Sequence, residues 1–144
     1  MAAVSLPRRK TPWHLWVVGS LALLWNASGA YTIMMAQAGR LPNVSTDEAA
    51  YYAAQPLWFA VATDIALVAA VAAAVALLLR SRSATWLFAL SLLAVFLTNS
   101  YDLAAGTSRM LVARGALVVT TIIVMLAVLQ FLYARAMSKR AVLA

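Results

Sequence analysis

Cysteine is absent from the 144 residues, which excludes disulfides, thiol nucleophiles, iron–sulfur clusters and Cys-ligated zinc, and with them the small quinone-linked disulfide oxidoreductases. Histidine occurs once, at His14, so one chain supplies neither bis-histidine haem ligation nor a multi-histidine metal site. Charge is scarce as well: 10% of the residues are charged, against about 25% in a soluble globular domain. What the chain does have is apolar surface, with 65% of its residues hydrophobic. A fold of this size leaves about a third of its chain surface exposed, more than so few polar residues can cover, so the expected solvent is lipid. At about 20 residues per span, the length accommodates four spans joined by short connections and no separate soluble domain.

The expected fold is therefore all-α: an integral membrane four-helix bundle in one domain, residues 1–144, running up-down-up-down. The spans are read at about 13–36, 57–79, 85–105 and 111–134. The first follows a basic, proline-containing tail. A secretory-signal reading of this region is open, but the apolar stretch exceeds the usual length of about 7–15 residues. Residues 37–55 turn to Gly, Pro, Asn, Asp and Glu, as a water-exposed connection does. Within it Ser45 and Glu48 stand at capping-box spacing, which predicts a short helix over about 47–54. Pro56 suits the first turn of the second span. That span carries one acid, Asp64, whose cost of about 2.5–3.5 kcal/mol is outweighed by many Leu, Ile, Phe and Val residues at about −0.3 to −0.6 kcal/mol each. Its alanine run, Ala72–Ala74, reads as close helix packing. Gly106 fits a left-handed C-cap of the third span, and Thr107 or Ser108 an N-cap of the fourth.

The chain has 11 Lys and Arg and four Asp and Glu, yet the cations flank apolar runs instead of forming a patch with interleaved aromatics. No nucleic-acid partner is expected. Arg8, Arg9, Lys10, Arg80, Arg82, Arg135, Lys139 and Arg140 fall on one side of the four spans, against Arg40, Arg109 and Arg114 on the other. This asymmetry places both termini in the cytoplasm. Trp13, Trp16, Trp86 and Tyr133 then lie at the inner interface, and Tyr51, Tyr52, Trp58 and Tyr101 near the outer one.

The residues that carry any function are the polar ones inside the spans. By helical rise, Asn26 lies about 20 Å from the inner start of the first span, Asp64 about 12 Å from the outer start of the second, and Asn99 about 20 Å from the inner start of the third. All three fall in the outer half of a hydrocarbon core about 30 Å thick, and Thr120 and Thr121 reach that depth on the fourth span. Polar groups at this depth face the bundle interior or a wet cavity. A stripe of Gly19, Ala22, Asn26, Gly29 and Ile33 lets a neighbouring helix approach Asn26. Two readings stand. In one, Asn26, Asp64, Asn99, Thr120 and Thr121 form a solute or proton-binding cluster. In the other they are hydrogen-bonded glue between helices, at about 0.6–2 kcal/mol per contact. Asp102, at the end of the third span, is read as forming an outer-surface ion pair with Arg109 or Arg114. Gln130 is placed one turn from the inner interface, solvated or bonded locally, and His14 is read as an interfacial anchor. Asn43-Val44-Ser45 is a glycosylation triplet that matters only in a eukaryotic secretory pathway.

The segments Pro12-Trp13-His14-Leu15-Trp16-Val17-Val18-Gly19, Leu24-Trp25-Asn26 and Gly29-Ala30, followed by Tyr51, Tyr52, Pro56 and Trp58, resemble a family of small four-helix bacterial inner-membrane proteins whose members often carry a generic sugar-transporter label. The resemblance covers mostly residues 12–60, and the rest matches in hydropathy. It implies a multi-pass protein of the bacterial inner membrane. No cofactor is expected, and no histidine, cysteine or serine-base constellation suggests an enzyme. The expected partner is the bilayer, with self-association or a larger membrane complex as further readings. The function these observations favour is binding or passage of a small polar solute or proton; the rival is a non-transporting accessory subunit.

The orientation is directly testable with reporter fusions. A periplasm-active reporter is expected to give signal at Arg40 and none at the C-terminus; the reverse pattern would overturn the assignment.

Overall fold

A computed structural model describes residues 11–40, 42, 45–106 and 115–143, with backbone alone at residue 116. Among the described residues the chain is all-helical: α1 (Trp13–Gln37), α2 (Thr46–Ala54), α3 (Leu57–Leu78), α4 (Ser83–Ala105) and α5 (Ala116–Lys139). Four of these, all except α2, are long and apolar enough to cross a membrane, which points to a multi-pass membrane protein.

Local chemistry sets most boundaries. Pro12 and Pro56 occupy the N-cap positions of α1 and α3 in extended backbone, so Pro56 stands just before the helix and not in its first turn. The capping box of α2 forms as expected: the Ser45 hydroxyl accepts from the Glu48 amide at 3.3 Å, and the Glu48 carboxylate accepts from the Ser45 amide at 2.9 Å. Gly106 ends α4 with φ 70°, the left-handed cap expected of it.

Two boundaries differ from the sequence reading. Helix α4 begins at Ser83, not Thr85, because the tight turn already bonds the Ala84 amide to the Ser81 carbonyl and the Thr85 amide to the Arg82 carbonyl, each at 3.2 Å. Helix α5 continues to Lys139, past the expected end at 134. Nothing in Arg135, Ala136, Met137 or Ser138 breaks a helix, and Lys139 suits the negative end of the helix dipole. The described part of α5 starts from Gly115 at φ 71°; the expected caps Thr107 and Ser108, and Arg109 and Arg114, lie outside the described residues.

Helix α3 holds the bundle together. It packs on α4 along its length and on α1, while α5 packs on α4; the outer helices α1 and α5 have little close backbone contact. The packing surface of α3 is largely alanine, with Ala66, Ala69, Ala70, Ala73, Ala74 and Ala76 all buried, which is how a helix offers neighbours close approach in lipid. On α1, Gly19 and Ala22 are buried against the same seam.

The larger apolar side chains gather at the end of the bundle that carries the α3–α4 turn. Leu15, Leu77, Phe88, Met137 and Leu143 are buried there with Ala73, Ala74, Ala84 and Ala134. The chain returns after α5 to reach this core. The Val142 amide bonds the Met137 carbonyl at 3.1 Å and the Ala141 amide the Ser138 carbonyl at 3.0 Å, a Schellman ending with Ala141 left-handed at φ 55°. Helix α3 ends the same way with Arg80 at φ 60°, the Ser81 amide bonding the Ala76 carbonyl at 2.8 Å. The two endings meet: Arg80 Nε donates to the Val142 carbonyl at 3.4 Å and Arg82 Nε to the Leu143 carbonyl at 3.3 Å.

The glycines of α1 separate the packed and open parts of its stripe. A Cβ at Gly19 would stand 2.6 Å from Leu78 Cδ2, whereas one at Gly29 would meet nothing within 4 Å. Gly19→Ile is expected to destabilise the detergent-solubilised protein by about 1–3 kcal/mol through overpacking, and Gly29→Ala to stabilise it by about 0.5–1 kcal/mol through helix propensity. Thermal midpoints of the two variants check this; equal shifts would contradict the seam.

Candidate functional site

Most polar side chains in the long helices satisfy themselves against their own backbone. Thr63 donates to the Phe59 carbonyl at 2.9 Å, Thr98 to the Ala94 carbonyl at 3.1 Å and Thr121 to the Leu117 carbonyl at 2.7 Å. Ser28 and Thr32 do the same on α1. Such bonds hide a hydroxyl from hydrocarbon without needing a neighbouring helix.

Among the described residues, Ser91, the His14–Tyr133 pair and the Asn26–Gln130 pair instead make polar contacts across the long helices. Ser91 of α4, buried, donates to the Ala66 carbonyl of α3 at 2.8 Å. His14 Nδ1 and the Tyr133 hydroxyl stand 2.6 Å apart, with the rings edge to face, and tie α1 to α5 near the turn end. Asn26 Nδ2 donates to Gln130 Oε1 at 2.8 Å and ties the same two helices deeper in. On α1 these two ties lie about 18 Å apart by helical rise, but on α5 only about 4.5 Å. The two helices therefore do not run side by side residue for residue, and a gap opens between them.

That gap is a cavity of about 340 Å³, toward the lower end of the range of about 300–1,000 Å³ for small-molecule sites. Its walls come from all four long helices. Helix α1 contributes Asn26, Gly29 and Ile33, α3 contributes Ala66 and Ala70, α4 contributes Phe88, Ser91 and Val95, and α5 contributes Ile123 and Gln130. The small residues of α1 and α3 make the room. The Asn26–Gln130 pair supplies the interhelical amides, and the mutual bond leaves the Asn26 carbonyl oxygen and the Gln130 amide hydrogens free for a ligand. The Ser91 hydroxyl is engaged by the backbone of α3, so it adds little donor capacity.

Of the five residues expected to cluster, the structure brings only Asn26 to this cavity. Asn99 lies on the same stripe of α4 as Ser91 and Val95 but one turn beyond, and its amide folds back to the Val95 carbonyl at 2.7 Å. Asp64 is half-buried, and its Oδ1 is buried without a hydrogen-bond partner; it bonds neither asparagine. Asp64 lies about 160° around α3 from Ala66, which faces the cavity, and the Ser91–Ala66 bond sets Asn99 about 12 Å past that level along α4. Thr120 is half-buried and Thr121 exposed, and neither lines the space.

Gln130 is the residue the sequence reading misplaced. It bonds Asn26 across the bundle instead of solvent or a local group. With α5 extending to Lys139, Gln130 lies about 14 Å inside the helix end. A lone amide that deep, opposite another on a different span, was the available signal.

Asp102 also takes a partner from elsewhere in the chain. Its Oδ2 accepts from the Tyr51 hydroxyl of α2 at 2.7 Å, while Arg109 and Arg114, expected to pair with it, lie outside the described residues. The contact ties α2 to the end of α4. Burial, reinforced by the hydrogen bond and charge of Asp102, pushes the Tyr51 phenol well above its ordinary range. Trp58 and Tyr101 stack edge to face nearby at 4.8 Å between ring centres.

No family model, curated protein or solved structure matches the chain.

If the Asn26–Gln130 bond joins α1 to α5 energetically, Asn26→Leu, Gln130→Leu and the double variant should show a coupling of about 0.6–2 kcal/mol in a thermodynamic cycle. Additive losses would show that the amides act independently.

Proposed function

We propose that the chain is a multi-pass protein of the bacterial inner membrane, one up-down-up-down unit with both termini cytoplasmic, that binds a small solute in the cavity between α1 and α5. The observation that carries this reading is the Asn26–Gln130 pair, 2.8 Å apart on the wall of a cavity of about 340 Å³. Two amides that merely glued helices together would be expected in a dry seam; these face open space with hydrogen-bonding capacity unspent. Most of the remaining wall is apolar. The ligand that fits is compact, with an apolar body and one hydroxyl, carbonyl or amide group that meets the pair.

Binding is favoured over open passage because the turn end of the bundle is sealed by Leu15, Leu77 and Leu143, at 0%, 1% and 1% exposure. A solute that crossed would have to part this core. Asp64 stands outside the cavity, so a proton route through the amide pair is not part of the reading. The polar groups in the wall are amides and hydroxyls, which hold a ligand without titrating, so the reading is of a binding protein and not of an enzyme. The resemblance to small inner-membrane proteins is compatible with this reading and contributes no site residue.

Hexanamide, hexanol and hexane, added to the purified protein in mild detergent, separate the alternatives. Hexanamide is expected to bind about tenfold or more tighter than hexane, the worth of one well-made hydrogen bond, and Asn26→Leu with Gln130→Leu is expected to erase that preference. Equal binding of all three, or a preference that survives both substitutions, would remove the amide pair from the site. No binding, together with a stoichiometric larger partner in the purified material, would replace the reading with that of an accessory subunit.

A further inference from the structure

The four acids of the chain, Asp47, Glu48, Asp64 and Asp102, lie on α2, in the first half of α3 and in the last turn of α4. The α3–α4 turn, at the other end of both long helices, has no acidic side chain of its own and carries Arg80 and Arg82. The end of α5 adds Arg135, Lys139 and Arg140. Positive charge accumulates there with no carboxylate side chain to offset it.

Two of these cations are held in place. Arg80 Nε donates to the Val142 carbonyl at 3.4 Å and Arg82 Nε to the Leu143 carbonyl at 3.3 Å. The two acceptors are consecutive residues, and both are fixed by burial, Val142 at 4% and Leu143 at 1% exposure. The main chain thus anchors both guanidiniums to one two-residue segment, and each keeps the four N–H donors of its terminal nitrogens. Like charges so arranged repel. The backbone adds strain at both sides of the contact, since Arg80 has φ 60° and Ala141 has φ 55°, a conformation unfavourable for residues other than glycine. An external anion between the two forks would offset the repulsion, and a phosphoryl group matches their planar geometry.

We propose that Arg80 and Arg82 form a phosphate-binding site at the α3–α4 turn. The ligand is a phosphoryl anion, supplied either by a phospholipid headgroup or by free phosphate. In a multi-pass protein this turn lies at the headgroup level, where phosphodiesters are concentrated. The proposal uses that membrane placement and does not depend on what the α1–α5 cavity holds.

The test is the thermal midpoint of the full chain in nonionic detergent, with dioleoylphosphatidylglycerol, with dioleoylglycerol, which has the same acyl chains and no phosphate, and with inorganic phosphate. The phospholipid is expected to raise the midpoint by about 5 °C or more at saturation, and dioleoylglycerol is expected not to. A shift at micromolar phospholipid but not at millimolar phosphate assigns the site to the headgroup; an equal shift with phosphate alone assigns it to the free anion. Arg80→Gln and Arg82→Gln lower the starting midpoint by loosening the C-terminal contact, so the readout is the increment. The double variant should lose it and Arg135→Gln should keep it. If the double variant does not fold, Arg82→Lys, which keeps the charge but not the fork, should cut the increment severalfold. Equal increments from dioleoylglycerol, no increment from either phosphate source, or a loss in Arg135→Gln as large as in the Arg80 and Arg82 variants would overturn the proposal.

Discussion

Hydrocarbon offers no hydrogen bond, so every polar side chain placed inside it must find a partner within the protein. Asp64 Oδ1 and Thr85 Oγ1 are buried without a partner; the hydrogen-bonded side chains meet the constraint in two ways, and the difference between them defines the architecture. Thr63, Thr98, Asn99 and Thr121 bond carbonyls of their own helices, so they demand nothing of the fold. Asn26, Gln130, His14, Tyr133 and Ser91 bond across helices, and these bonds decide which helices face each other. Helices α1 and α5 scarcely touch through their backbones, and the two side-chain ties between them span a gap that packing alone does not close.

Space follows from residue size in the same pattern. In lipid, apolar burial between helices brings little net gain, so association rests on contact between well-fitted surfaces. The alanines of α3 and the pair Gly19 and Ala22 on α1 give that contact at the turn end. Further along α1, Asn26, Gly29 and Ile33 continue the stripe, yet they line a cavity and not a seam. Dry core and open chamber are thus consecutive segments of the same helix faces.

Much of this was legible in the residues. Four apolar runs located the four long helices, the Ser45–Glu48 spacing located α2 and its cap, and Gly106 marked the end of α4. Asn26 was readable as a buried amide in need of a partner. Its partner was not, because helical rise gives depth while the angle around the axis decides meeting. Rise counted from each span's own start put Asn26, Asp64 and Asn99 at one depth, but Asp64 points away from the face of Ala66, and Asn99 lies about two turns past Ser91 and closes on Val95. Gln130 was hidden by ending the last span at residue 134, where approaching cations resembled an interface. The return of Val142 and Leu143 into the core left no periodic signal, since two residues after a helix carry no pattern to read.

The junction of Arg80 with the segment after α5 has a mechanical consequence. Both of its flanking turns are wound in the left-handed sense by residues that disfavour it, Arg80 and Ala141. When Leu143 leaves its pocket, the Ala141 turn is free to unwind while Arg80 stays held by the Ser81–Ala76 bond, and the relief of the Ala141 torsion partly repays the loss of contact. The last residues described behave as a sprung catch: seated firmly by shape, yet released at less expense than their depth in the core would indicate.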